Sequence, residues 1–355
     1  MDRRVSRRSA GRWIWIVALS VAVLAVVAAF TGLASGPRPN LPLSVSVTSV
    51  PLDPRHPDRD RVGGLRYRGG LWLRSDDSRF GGLSDLRVSS DGRELRAVSD
   101  CGYGFTAALS YDAGGRLQGL AQPRLIDLVG LQGQPLGHDE RDSESLVVHA
   151  DALEVGFEGK ARIWAYSQDP PFAGPARPVP APAGLSGCGS NGGIETMTMI
   201  DDSRRLLICE TRRRASLDVP AWIGNGDGWV ERSYPLLFRG GWAGEPFRAT
   251  GATLLPGGGG DVLVVERRFP PIGSRVVRIT KQDLEGRGPL RPIEIAAIEA
   301  PLTLDNFEGV DARSDGAGHT LVYLISDDNN CAKTPGGSRG TGLQRTLLLM
   351  FSLEG

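Results

Sequence analysis

Acidic residues recur in this chain at the two ends of a repeated unit. The clearest copies run from Asp142-Ser143-Glu144-Ser145-Leu146 to Phe157-Glu158, from Gly193-Ile194-Glu195-Thr196-Met197 to Cys209-Glu210, and from Asn306-Phe307-Glu308-Gly309-Val310 to Ser326-Asp327. Weaker copies run from Ser84 to Asp100 and from Gly251 to Glu266. Clustered carboxylates repel one another by roughly 4 kcal/mol per pair at ~4 Å and an effective dielectric of ~20. Such a group must protonate, pair with arginine or bind a cation. Carboxylate oxygens are hard ligands that suit calcium or magnesium better than zinc, and His56, His138, His149 and His319 are scattered without zinc spacing. Arginine is also at hand, because Arg212-Arg213-Arg214 follows Glu210 and Arg267-Arg268 follows Glu266. Carboxylates, arginine and a bound cation together could hold a phosphate ester and present an activated water to it.

The candidate catalytic residues are therefore Glu144, Glu195 and Glu308, which occupy equivalent entries in three units. With Asp100, Asp327 and Asp328 they form the candidate metal ligands, with Ca2+ as the expected ion. Arg79, Arg212 and Arg267, supported by Glu210 and Glu266, are the candidate substrate-binding residues. The exits are acidic in every unit, which fits an architectural role as well. The entries are acidic in only these three, which makes them the stronger candidates for chemistry. The plainer alternative is that acids at strand ends cap turns and satisfy backbone amides.

Positioning these groups needs strands. Between entry and exit lie two apolar runs joined by hairpin chemistry, such as Ser90-Asp91-Gly92, Asp201-Asp202-Ser203 and Ser314-Asp315-Gly316. Third and fourth runs usually follow, as at Ala161–Tyr166 and Ile293–Ile298. Three to four strands in a unit of about 57 residues point to an all-β, β-propeller fold of five blades, with room for a sixth. The early runs, 45–50 or 65–73, are expected to complete the last blade and close the ring. A β-sandwich, the competing architecture, needs no such period. Two long loops, Asp169 to Gly189 and Lys333 to Gly342, are expected near the site mouth or without fixed structure.

Composition narrows the class. The 355 residues carry no net charge, which argues against a bulk nucleic-acid partner. Forty-eight glycines and 24 prolines favour turns and strands over helices. Only three lysines occur, so the positive charge is nearly all arginine, the side chain suited to planar recognition of phosphate. Arg3, Arg4, Arg7, Arg8 and Arg12 precede an uncharged run from Trp13 to Pro37. Residues 1–35 therefore read as a signal peptide or signal anchor, 36–44 as a stiff linker and 45–355 as the propeller domain. The body is expected outside the cytoplasm, in the periplasm, as a monomer tethered to the inner membrane where the segment is kept. In that compartment the four cysteines can pair. Ring closure would bring Cys101 to Cys331 and leave Cys188 for Cys209.

Ser75-Asp76-Asp77-Ser78-Arg79-Phe80-Gly81-Gly82-Leu83-Ser84, Gly193-Ile194-Glu195, Val264-Val265-Glu266-Arg267 and Asp305-Asn306-Phe307-Glu308-Gly309-Val310, followed by Ser326-Asp327-Asp328-Asn329, resemble the phytase-like ("esterase-like activity of phytase") family of exported bacterial proteins. The likeness covers about residues 64–353. It implies hydrolysis of phosphate esters on a small phosphorylated substrate, by loose analogy with calcium-dependent propeller phytases of six blades. The chain departs from an unbroken acidic ring at the first entry, Ser84, and at the fourth, Gly251. A non-catalytic envelope propeller that binds a ligand or protein is the alternative from another class. A metal-free carboxylesterase is the third reading, and the chain has no nucleophile elbow to support it.

Overall fold

The computed structural model describes residues 41–188, 193–210, 217–226, 228–237, 245–257, 259–330 and 344–354. Residues 1–40, Arg212, Cys331 and the 333–342 loop lie outside the described residues. Among those described, no helix is long and apolar enough to cross a membrane.

Four strands come first in the chain: β1 (Leu41–Pro42), β2 (Ser46–Ser49), β3 (Arg61–Val62) and β4 (Leu65–Arg74). Blade I follows with β5 (Leu83–Val88), β6 (Glu94–Ser99), β7 (Tyr103–Tyr111) and β8 (Leu117–Asp127). Blade II has β9 (Ser143–His149), β10 (Ala152–Phe157), β11 (Arg162–Ser167) and β12 (Arg177–Val179). Blade III has β13 (Thr196–Met199), β14 (Arg205–Ile208), β15 (Asp218–Asn225) and β16 (Gly228–Pro235). Blade IV has β17 (Arg248–Leu254), β18 (Val262–Arg268), β19 (Gly273–Ile279) and β20 (Ile293–Ile298), with a single helical turn, α1 (Lys281–Glu285), between the last two. Blade V opens with β21 (Asn306–Ser314), β22 (Thr320–Asp327) and β23 (Thr346–Leu353).

Each sheet is an antiparallel meander, and the described strands form five sheets. The last is completed by the chain's beginning. β4 pairs with β23, with Leu71 opposite Leu348, and β2 lies outside it. Both early runs thus close the ring, tying the two ends of the domain into one sheet. β1 adds an edge to blade I. The proline-rich stretch after Asp169 is not wholly loop. It supplies β12, an edge strand, where Pro178 removes no needed donor.

Core packing follows the ring. A strand with apolar residues on both faces must be covered on both, and β5, β10 and β14 are buried at every position. Five apolar clusters of buried residues fill the interfaces between successive blades. Phe105 and Leu86 meet Tyr323 and Ile325 between blades I and V. Met197 and Leu207 meet Val147 and Ile163 between blades II and III, where Cys188 and Cys209 form a disulfide. Cys101 is also disulfide-bonded. Hydroxyls add bonds between blades, with Ser145 Oγ donating to Ile194 O at 2.9 Å and Ser143 Oγ to Ser99 O at 2.6 Å.

Candidate functional site

The strand registers decide which side chains meet at the axis. In blade I, Leu83 pairs with Ser99 and Asp85 with Val98, so Ser84 is an extra residue. The same β-bulge leaves Glu144 extra in blade II, Thr250 in blade IV and Glu308 in blade V. A bulge breaks the alternation of side chains and re-aims the extra one. In blade III the pairing of Thr196 with Ile208 puts Glu195 in the same slot. The five equivalent entries are thus Ser84, Glu144, Glu195, Thr250 and Glu308.

The fourth entry is therefore Thr250, one residue before Gly251. The fourth exit moves in the same way. Two residues beyond the partners Val98, Gly156, Ile208, Val265 and Ile325 stand Asp100, Glu158, Glu210, Arg267 and Asp327. Arg267, not Glu266, occupies the slot that is acidic in the other blades. A one-residue step in a strand turns a side chain to the opposite face. Accordingly Glu266 is fully buried between blades, accepting from the Tyr234 hydroxyl at 2.6 Å and ion-paired with Arg275.

Arg267 is the keystone of this mouth. Its guanidinium lies 3.1 Å from Glu308, 3.3 Å from Glu210 and 3.7 Å from Glu195. Burial works against its charge, but Glu308, Glu195 and Glu210 outweigh that and strengthen its hold on the proton. One cation does not balance the acids. Burial, and then Asp142, Glu195, Glu308 and Asp100, push the Glu144 carboxyl well above its ordinary pKa. Burial and Glu210 do the same to Glu195, against the pull of Arg267. Burial, with Glu308 and Asp100, raises Asp327. Glu308 is pushed up to about 7 by burial, with Arg267 pulling the other way and Asn306 Nδ2 donating to it at 2.8 Å.

On the blade II side, Asp142, Glu144 and Glu158 bring one carboxylate oxygen each to within 4.8 Å of the others. Two oxygens that both touch one calcium at ~2.4 Å can be no farther apart than this. The donor set, all carboxylate, suits a hard cation. Of the metal ligands expected from sequence only Glu144 belongs to this tight group. Asp100, Glu195 and Glu308 act electrostatically on Glu144, and Asp327 acts with Glu308 and Asp100. Asp328 accepts from Gly82 N at 2.9 Å and from Thr346 Oγ1 at 3.0 Å. Arg79 is held by both oxygens of Asp77, outside the carboxylate group. Asp142 was visible in the sequence only as the residue two before an entry glutamate, the position that Asn306 holds in blade V.

The inner strands are bridged below this mouth by a residue outside the sequence-predicted set. Arg87, on β5, donates to Val310 O at 3.1 Å, Met197 O at 3.3 Å and Ala252 O at 3.0 Å, and also to Leu86 O. Its partner Asp85, 3.1 Å away, accepts from Leu146 N at 2.8 Å. One buried ion pair therefore touches the inner strands of all five blades. The sequence signal was the charged pair Asp85 and Arg87 within one short strand.

The raised carboxyls make stability depend on pH. A buried acid with a raised folded-state pKa keeps its proton when the unfolded chain has released it. Its contribution is intact below the unfolded value of ~4.5 and lost as pH rises through the folded value. For Glu308 that window runs to about 7, a loss of about 3 kcal/mol. Asp85, also raised to about 7 by burial, acts in the same sense. Asp77 and Asp201, held near 2, titrate below it. Urea unfolding in EDTA should therefore show lower stability at pH 8 than at pH 5, with calcium reducing the difference. Equal stability at both pH values would contradict the burial of these acids.

No curated protein matches the chain. Solved structures match it at the level of fold, those that follow at low identity. The RRP9 WD40 repeats are 10% identical, covering 83% of this chain and 100% of that one, with a TM-score of 0.42. An endo-arabinase from Bacteroides thetaiotaomicron is 11% identical, covering 77% and 94%, with a TM-score of 0.43. A chain of a nidogen/laminin complex is 9% identical, covering 86% and 98%, with a TM-score of 0.41. Scores this low carry no functional argument, and the propeller assignment rests on the strand order. The model of the family described as "Phytase-like: Esterase-like activity of phytase" matches residues 78–330, from just before β5 to just beyond β22. The chain belongs to this phytase-like family.

Proposed function

We propose that the chain is an exported phosphoric-ester hydrolase and that its site is the acidic mouth of the propeller channel. The observation that carries this reading is the register in blade IV, which sets Arg267 into a slot that is acidic elsewhere. Asp142, Glu144 and Glu158 would hold calcium. When bound, the ion would polarise a phosphoryl oxygen and lower the pKa of a coordinated water. Arg267 gives up one of its carboxylates to a phosphoryl oxygen and orients the ester from the opposite side. Glu308, with its pKa near neutrality, accepts a proton from the attacking water. Glu195, whose pKa burial and Glu210 raise against the pull of Arg267, would give its proton to the departing alcohol oxygen. The P–O bond to water forms, the P–O bond to the alcohol breaks, and solvent returns both glutamates to their starting states.

The full-length protein should release nitrophenol from nitrophenyl phosphate in calcium and lose that activity in EDTA. Glu308→Gln, which keeps the shape and the Asn306 contact, should lower kcat/KM by about a hundredfold or more. Activity unchanged by both treatments would refute the reading. Binding of phosphate without turnover in any arm would favour the non-catalytic alternative.

A further inference from the structure

The inner strands have a second set of ends. They start at the acidic entries, so their far ends and the hairpins that follow lie away from those acids. Along β5, a strand of six residues, the separation is about 20 Å. A cavity of about 620 Å3 opens at these far ends, with walls from blades I, II, IV and V. Its charge is opposite to that of the acidic mouth. Among the described residues that line it are three guanidiniums, Arg87, Arg96 and Arg313, and one carboxylate, Asp311. Asp311 does little to cancel them. It is buried, accepts from Val88 N at 2.7 Å and from Thr253 Oγ1 at 2.9 Å, and has its pKa raised by burial. Asp91, in the adjoining hairpin, also feels Arg313, but its side chain is 60% exposed and screened by solvent.

The three arginines differ in what they can give. Arg87 and Arg96 stand directly opposite each other in the β5–β6 register, an arrangement of like charges that destabilises a sheet. Arg87 spends its donors on Asp85 and on backbone carbonyls, so it supplies field rather than contact. Arg96 is held from one side by both oxygens of Glu94, at 3.1 and 2.8 Å. Arg313 is held by neutral groups, with Nε donating to Tyr323 Oη at 3.0 Å and Nη1 to Ser314 O at 3.1 Å. Guanidinium forks fixed in this way match the planar or tetrahedral oxygens of an anion, and an anion between them relieves their repulsion. The volume falls in the range of small-molecule sites, larger than a bare inorganic ion requires. We propose that this second mouth binds a small organic anion through a phosphate or carboxylate group, held by Arg96 and Arg313 in the field of Arg87. The inference stands apart from the hydrolase reading, since it uses none of the acids of the first mouth.

Calorimetry on the full-length protein in EDTA tests it without turnover. Glycerol phosphate and succinate are the two probes, and the tighter of them tells whether phosphate or carboxylate is the group preferred. At least one should bind at low salt and weaken as salt is added. Arg313→Gln should weaken that binding by about tenfold, the loss of one charge-assisted contact. Ser90→Asp should do the same by another route, since it puts a negative charge on an exposed turn at the cavity wall and leaves the arginines in place. Glu308→Gln, in the acidic mouth, should leave the affinity within about twofold. Binding of neither probe would overturn the proposal. So would affinity that survives both Arg313→Gln and Ser90→Asp, or that is lost in Glu308→Gln and kept in Arg313→Gln.

Discussion

Arg87→Met should cost the domain about 3–5 kcal/mol of unfolding free energy, the range for removing one partner of a buried ion pair. The side chain is nearly the right length, so packing changes little. What changes is the accounting of polar groups. Val310 O, Met197 O and Ala252 O, on three different blades, each lose a donor at the axis. Buried acceptors left without partners cost about 1–3 kcal/mol apiece where water cannot reach them. Asp85 loses its cation while its carboxyl, already pushed up to about 7 by burial, keeps its bonds to Leu86 N and Leu146 N. The expected loss should thus be greater at pH 8, where Asp85 is pressed to ionise alone, than at pH 5. Urea unfolding of wild type and variant at both pH values measures it. A loss below about 1 kcal/mol, the scale of an exposed pair, would show that water fills the axis and that the pair is no plug.

The units, the closing strands and the entry glutamates were readable because they depend on short-range pattern: alternation, hairpin residues and a repeat. The blade V closure followed from the two alternating runs before Gly81 having no unit of their own. Register within the mouth was not readable. A bulge adds one residue to one strand and leaves no fixed residue type behind, as Ser84, Glu144, Thr250 and Glu308 show. Without it, Glu266 and Gly251 look equivalent to the acids and glutamates of other units. With it, both shift by one, and Glu266 becomes a buried partner of Tyr234 and Arg275. Asp327 and Asp328 teach the same lesson, since Asp327 shares the repulsion of Glu308 while Asp328 is held by Gly82 N and Thr346 Oγ1. Arg87 belongs to no repeat, so the pattern of acids does not point to it. The signal was the charged pair Asp85 and Arg87 in one strand, since charges in a fully buried strand need partners.

Arg267→Met is expected to act more conditionally than Arg87→Met. Glu308, Glu195 and Glu210 lose the cation they share, and burial already opposes ionisation of the first two. At pH 8 without divalent cations the loss should approach about 3–5 kcal/mol, because negative charge is left buried and unpaired. At pH 5 the glutamates can take up protons instead, so the loss should shrink to about 1–2 kcal/mol. Proton uptake replaces the guanidinium as the means of neutralisation. The variant should therefore have a steeper decline of stability between pH 5 and 8 than wild type, the sign required when the folded state binds the more protons. Calcium should recover part of the loss at pH 8 if Asp142, Glu144 and Glu158 hold it, since a bound cation relieves the same repulsion from across the mouth. Activity separates the two roles. A purely structural arginine would return activity once calcium or low pH restores folding. An arginine that orients the phosphoryl group would leave kcat/KM depressed by about a hundredfold in the refolded variant, as removal of one oriented charge-stabilising donor does elsewhere. Equal stability losses at the two pH values would mean that the three glutamates are neutralised by something other than Arg267.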